Sequence, residues 1–141
     1  MLPGSHFGRQ DYWQAAYATG HTAQEWFLSA GTAARSTADA VRSYAPAQAE
    51  PLRVAHLGCG ASTLGAQIAS TLQERGCQVN MVLNLDCALA ALSVCEAHQS
   101  LLPGGSLQQY SLWDAADAAL PGDYDILLDK GTLDALSLIH I

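Results

Sequence analysis

Positive charge is scarce in this chain. Its 141 residues hold six Lys and Arg against 13 Asp and Glu, a formal net charge of −7 at pH 7. Proteins that grip nucleic acid through its phosphates present a basic face, so a nucleic-acid partner is not expected. Paired cysteines are also missing. Cys59, Cys77, Cys87 and Cys95 contain no C-x-x-C pair and have no His at finger spacing, which argues against a structural zinc site and for reduced thiols. No apolar run approaches the roughly 18 residues of a membrane span, and the start lacks a basic region followed by an apolar one. A soluble cytoplasmic protein without a membrane partner is the expectation. Internal repeats and low-complexity tracts are absent as well. What is present is one domain's length of chain, half of it hydrophobic and 13% charged, the composition of a globular protein.

Residues 1–51 read as a helical prefix. A loose start with Pro3 and Gly4 leads into QDYWQAAYATG, a helical pattern from Gln10 that Gly20 ends. Thr22 with Glu25 three residues later has the form of a capping box, predicting a second helix through Trp26, Phe27 and Leu28 that stops at Gly31. A third, alanine-rich helix is expected over Ala33 to Tyr44, and Pro46 and Pro51 bracket a linker. Phe7, Tyr12, Trp13, Tyr17, Trp26 and Phe27 concentrate aromatic surface in this prefix. That surface either packs as helix on core or forms a lid whose rings border a ligand.

Beyond the linker the pattern alternates. Strands are expected over Leu52 to Leu57, Gln78 to Leu85, Leu107 to Leu112 and Tyr124 to Leu128, with helices over Ala61 to Arg75 and Cys87 to Gln99. Strand and helix in alternation imply an α/β fold with a parallel sheet. The stretch LRVAHLGCGASTLG, Leu52 to Gly65, runs an apolar strand into a glycine-rich turn and a helix. Glycines there let backbone approach a ligand, and a helix start offers free N–H groups to it. Ligands of open α/β sheets sit outside the carboxyl ends of the strands. Polar features recur at all four of those ends: Gly58-Cys59-Gly60, Asp86, Trp113-Asp114 and Asp129.

Asp86, ending the second strand, is suited to accept both hydroxyls of a ribose. A dinucleotide site would use the same acid but asks for G-x-G-x-x-G, and the third glycine position here is Thr63, with Gly65 two residues late. The pyrophosphate reading, and with it a nucleotide-dependent oxidoreductase, is therefore demoted.

VAHLGCGAS resembles the first motif of class I S-adenosylmethionine-dependent methyltransferases, with Asp86 at the position of their second-strand acid. DYWQAAY with QEWF, together with DKGTLDAL from Asp129 to Leu136, is similar to the methyltransferase-like protein-lysine methyltransferases, the group that includes enzymes modifying elongation factor 1A and citrate synthase. The resemblance implies a Rossmann-like methyltransferase sheet with an N-terminal helical extension, S-adenosylmethionine as cofactor, and a lysine side chain of a protein as substrate. It implies that Gly58, Cys59 and Gly60 pass under the methionine part and that Asp86 holds the ribose. Trp113 and Asp114 would border the adenine, with simple core packing as the alternative for Trp113. Asp129, with the backbone of Lys130 and Gly131, would lie beside the sulfonium and the incoming amine as the catalytic candidate, and Glu25 and Trp26 would help close the pocket. No metal is needed for that chemistry. Two departures stand out. His56 occupies a position where the motif often has an acid, and is read as a half-buried, hydrogen-bonded histidine. The run from Gly58 to Asp86 is several residues longer than is usual for that class, with the excess assigned to Gln73–Gln78.

A full sheet of that class has seven strands and four are counted here. Residues 52–136 thus read as the cofactor-binding half of a methyltransferase domain, and 137–141 as an atypical tail on a truncated frame. If strand order follows the class, the fourth strand is an exposed edge. A noncatalytic module that associates through that edge and the aromatic prefix is the competing expectation.

Overall fold

The computed structural model describes residues 10–18, 29–44, 50–114, 119–120 and 122–129. The second prefix helix and the tail lie outside them. The elements are α1 (Gln10–Ala18), α2 (Ala30–Tyr44), β1 (Leu52–Leu57), α3 (Leu64–Glu74), β2 (Val79–Asp86), α4 (Leu89–Gln99), a 3-10 turn at Gly105–Leu107, β3 (Gln108–Leu112) and β4 (Ile126–Asp129). Four strands form one sheet in the order β3-β2-β1-β4, every neighbouring pair parallel.

β1 and β2 are central, and their residues are buried almost throughout, as expected of parallel strands covered on both faces. Alternation sends Val54 and Val82 to one face and Ala55 and Leu83 to the other. The first face packs on Ala30, Ala33, Ala34 and Ala38 of α2 and on Leu64, Ile68 and Leu72 of α3. The small side chains of α2 let that helix lie close to α3. The opposite face, Ala55, Met81, Leu83 and Leu85, is met by Leu57, Trp113, Leu120 and Tyr124.

Caps decide where the helices start and stop. α2 begins at Ala30, not Ala33, and Gly31 lies inside its first turn instead of ending a preceding helix. The cause is Ser29, whose hydroxyl accepts from the Thr32 N–H at 3.2 Å as an N-cap. α3 begins at Leu64, not Ala61, because residues 61–63 complete the glycine turn, the Ser62 N–H bonding the Cys59 carbonyl at 3.1 Å. α3 is closed just beyond its end by Gly76, φ 84°, where the Gly76 N–H bonds the Gln73 carbonyl and the Cys77 N–H bonds that of Leu72. This Schellman closure needs a left-handed residue, which glycine adopts without penalty. α4 starts at Leu89, not Cys87, since Ala88 is held extended.

β4 is pinned beside β1 at its entry. The Arg53 N–H donates to Asp125 Oδ2 at 2.8 Å, Arg53 Nε to the Asp123 carbonyl at 3.1 Å, and the Asp125 N–H returns a bond to the Arg53 carbonyl. β4 accordingly covers Ile126–Asp129, displaced from the expected Tyr124–Leu128. Among the described residues it is an edge strand, with Leu127 54% exposed. No helix of the described residues is long and apolar enough to cross a membrane.

Candidate functional site

Because all four strands are parallel, their carboxyl ends meet at one edge. Leu57, the last residue of β1, is level with Leu85 and with Asp129, and Asp86 is level with Leu112. The sheet thereby collects Gly58–Gly60, Asp86, Trp113-Asp114 and Asp129 along one rim.

At the centre of the rim is the turn after β1. Gly58 and Gly60 have φ of 62° and 55°, the left-handed region that a Cβ disfavours. Between them the Cys59 N–H bonds the Leu85 carbonyl at 2.9 Å, so the turn is laid on the end of β2. That brings the Gly60 N–H to Asp86 Oδ2 at 2.8 Å. The other carboxylate oxygen accepts from the Ala88 N–H at 3.0 Å. A single carboxylate thus ties the glycine turn to the start of α4. Asp86 is 7% exposed, and burial raises its pKa above the usual carboxylate value, against the opposing hydrogen bonds from Ala88, Gly60 and Cys87. Cys59 is also buried, and burial with the neighbouring Cys95 thiol raises its pKa well above that of a free thiol.

A raised carboxyl pKa gives a definite sign to the pH response. Between the unfolded value near about 3.9 and the higher folded value, the native state holds the extra proton, so stability falls as pH rises across that interval. Thermal unfolding of the nucleotide-free protein at a series of pH values is expected to show this decline in wild type. In Asp86→Asn the profile flattens whatever its absolute level; identical profiles would contradict the assignment.

Helix α1 closes over the turn. Tyr17 is 8% exposed and packs with Ala61, Ala88 and Ala91. A Cβ built on Gly60 would collide with its hydroxyl. Burial pushes the Tyr17 pKa upward, the nearby Asp86 and Cys59 add to the shift, and a backbone hydrogen bond from Ala61 opposes it. One helical turn earlier, Gln14 Oε1 accepts from the Ala90 N–H at 3.1 Å, capping α4 from outside. Helix α1 therefore packs on the glycine turn through Tyr17 and meets the start of α4 through Gln14.

Asp114 is half-buried near Cys87, whose thiol is pushed up to about 12 by burial first, then by Asp86 and Asp114. Trp113 is half-buried. Its indole lies against the cluster of Ala55, Met81, Leu83 and Leu85, and its Nε1 donates to the Ala119 carbonyl at 3.1 Å. Asp129 is exposed at the end of β4. Lys130, Gly131, Glu25 and Trp26 lie outside the described residues. His56 is 2% exposed, deeper than the half-burial expected.

The start of α3 differs from expectation in a way that bears on ligand chemistry. The Leu64 N–H bonds Ser62 Oγ at 3.0 Å, the Ala66 N–H bonds Gln99 Oε1 at 2.6 Å, and the Gln67 N–H bonds the Thr63 carbonyl at 3.1 Å. The last of these is the first bond of the helix itself, and the other two satisfy, from within the chain, two of the four donors that a helix start leaves open. With Leu64 and Ala66 already bonded, the N-terminus of α3 has fewer donors left for a phosphate, which needs them.

No family model matches the chain, and no curated protein sequence matches it. Solved structures do. A S-adenosylmethionine-dependent methyltransferase from Geobacter sulfurreducens, in complex with S-adenosyl-L-homocysteine, aligns with a TM-score of 0.56 and 12% identity over 89% of this chain and 49% of its own. A second such methyltransferase, from Thiobacillus denitrificans and also in complex with S-adenosyl-L-homocysteine, gives 0.52 and 13% over 79% of this chain and 40% of its own. This chain has the Rossmann-like methyltransferase fold. It spans less than half the length of these methyltransferase-fold structures.

Within this methyltransferase fold, no motif in the sequence marks Gln14 as a residue beside the rim, and Tyr17 stands out there only as one of the prefix aromatics. Their spacing of three on one short helix was the available signal, since i and i+3 share a face. Gly65, judged late for a fingerprint, has a different role. A Cβ there would collide with Gln108 Oε1 and stand 2.7 Å from Asn84 Oδ1. It leaves room for a buried polar cluster in which Asn84 Nδ2 donates to Gln108 Oε1 at 2.9 Å and to the Gln109 carbonyl at 3.1 Å.

Proposed function

We propose that this chain binds S-adenosylmethionine at the carboxyl edge of its sheet and derives from an enzyme that transfers the methyl group to a lysine side chain of a protein. The observation that carries the cofactor reading is the combination of a buried carboxylate, Asp86, beside a left-handed glycine turn with a helix start two of whose four donors are already used. That combination suits a ribose and a sulfonium nucleoside without phosphates and disfavours a pyrophosphate. The methyltransferase fold and the S-adenosyl-L-homocysteine bound in related structures support it.

In this reading Asp86 accepts the ribose hydroxyls with the lone pairs that the backbone bonds leave open. Gly58, Cys59 and Gly60 pass under the methionine part, and Tyr17 covers the turn. Trp113 is proposed to border the adenine, with Leu112, level with Asp86 and 52% exposed, as a further apolar wall and Asp114 as an acceptor for its amino group. The lysine substrate rests on the DKGT resemblance and on the overall negative charge, which favours a basic segment. The cofactor supplies a methyl group on a sulfonium. For this chain's residues the requirements are a neutral amine held in line and a dry pocket, and Asp129, with the backbone at Lys130 and Gly131, is the group proposed to orient that amine. Glu25 and Trp26 are proposed to help close the site.

A second reading, a noncatalytic module pairing through the β4 edge, is favoured by the exposure of Leu127 there. One set of measurements separates the two. Calorimetry is expected to give stoichiometric binding of S-adenosylhomocysteine, with dissociation near the micromolar range, equivalent to about −8 kcal/mol, and no heat with NAD. Light scattering on the same sample is expected to show a monomer. A cofactor-blind oligomer would overturn the proposal.

A further inference from the structure

Helix α4 touches the cofactor turn at both of its ends. Its start is joined to Gly60 through the Asp86 carboxylate, as described above. Near its end, Cys95, His98 and Gln99, spaced i, i+3 and i+4 on one helical face, contact the backbone that leads from the glycine turn into α3. Cys95 Sγ lies 3.3 Å from the Ser62 carbonyl, His98 Nδ1 lies 3.2 Å from the Ala61 carbonyl, and Gln99 Oε1 accepts from the Ala66 N–H. A carbonyl only accepts, so the His98 bond requires a proton on Nδ1.

Gln99 is the member with the widest reach. It is fully buried, and its Nε2 faces Asn84 Oδ1 at 3.4 Å, Tyr110 Oη at 3.3 Å and Cys95 Sγ at 3.3 Å. One amide therefore joins the start of α3 to β2 and β3. We infer that Gln99, assisted by His98, is a positioning residue for the nucleoside cofactor: it holds residues 61–66 so that the Gly58–Gly60 turn keeps its left-handed course beside Asp86. Neither residue reaches the rim itself, so each acts through the turn. The inference rests on the cofactor reading above.

Three variants of the full chain test it, with affinity for S-adenosylhomocysteine measured by calorimetry and amide exchange at Gly60 and Ala66 measured by NMR. Gln99→Met fills the volume without a strong acceptor and is expected to bind about tenfold more weakly, the worth of one hydrogen bond, with faster exchange at both amides. Gln99→Glu, protonated when buried, keeps an acceptor for Ala66 and is expected to bind within about threefold of wild type even where its melting temperature falls as far as that of Gln99→Met. A merely structural Gln99 would instead make both variants lose affinity in step with stability, and that result overturns the inference, as does wild-type affinity in Gln99→Met. Should Gln99→Met fail to fold, the exposed His98 decides. His98→Ala is expected to weaken binding about threefold and to speed exchange at Gly60, and no change in either overturns the inference. Wild type that binds no S-adenosylhomocysteine removes the cofactor reading. The exchange data then stand alone, faster exchange in Gln99→Met supporting the brace and unchanged exchange overturning it.

Discussion

Asp86→Ala is expected to bind S-adenosylhomocysteine about ten- to a hundredfold more weakly than wild type, or about 1.5–3 kcal/mol, the range for hydrogen bonds to a charged acceptor. Two losses combine. The ribose hydroxyls lose their acceptor, and the Gly60 and Ala88 N–H groups lose theirs, so the turn is no longer tied to α4. Asp86→Asn separates them. Its amide offers one acceptor oxygen and turns a donor toward a neighbouring N–H, so it keeps part of the turn and loses part of the ribose site. Calorimetry of the three proteins orders them as wild type, Asn, Ala. Equal affinity in all three would end the ribose assignment.

Gly60→Ala carries the second large effect. A Cβ at φ 55° costs about 1–2 kcal/mol in backbone strain, and here it also meets the Tyr17 hydroxyl. Moving that buried ring adds an overpacking cost of about 1–3 kcal/mol. The variant is expected to lose about 2–5 kcal/mol in urea unfolding and more than tenfold in S-adenosylhomocysteine affinity. Tyr17→Phe in the same background removes the colliding oxygen and is expected to recover part of the stability, leaving the strain. A Gly60→Ala protein as stable as wild type would show that α1 does not lie on the turn.

The strands and the glycine turn were legible because their signals are local. Buried parallel strands read as apolar runs, and Gly58-Cys59-Gly60 after LRVAHL reads as a turn at a strand end. Asp86 was legible for the same reason, as a charge closing the apolar run of β2. Helix starts were less legible, because they depend on which side chain reaches a free N–H. Ser29 moved α2 forward by three residues and the Asp86 carboxylate moved α4 back by two, and neither bond is a nearest-neighbour effect of composition.

The buried polar cluster was not legible at all. Asn84 sits in the middle of an otherwise apolar strand, and Gln99 and Gln108 look like surface residues in sequence. Their burial becomes tolerable only because each supplies the other's partners, which requires α4, β2 and β3 to be already adjacent. Gly65 shows the same dependence, since a glycine that appeared misplaced for a phosphate fingerprint is needed where three side-chain oxygens converge.

By itself the sequence determined the alternation of strands and helices, the left-handed turn between Gly58 and Gly60, and the acid at Asp86, since each follows from hydrophobic period, backbone freedom or charge within a few residues. Only the tertiary structure decided that Tyr17 lies on Gly60, that Trp113 packs against the sheet, and that two of the first donors of α3 are taken by Ser62 and Gln99. The physical reason is that hydrogen-bond saturation and steric exclusion are properties of groups brought together from distant parts of the chain, and no local pattern records which of them will meet.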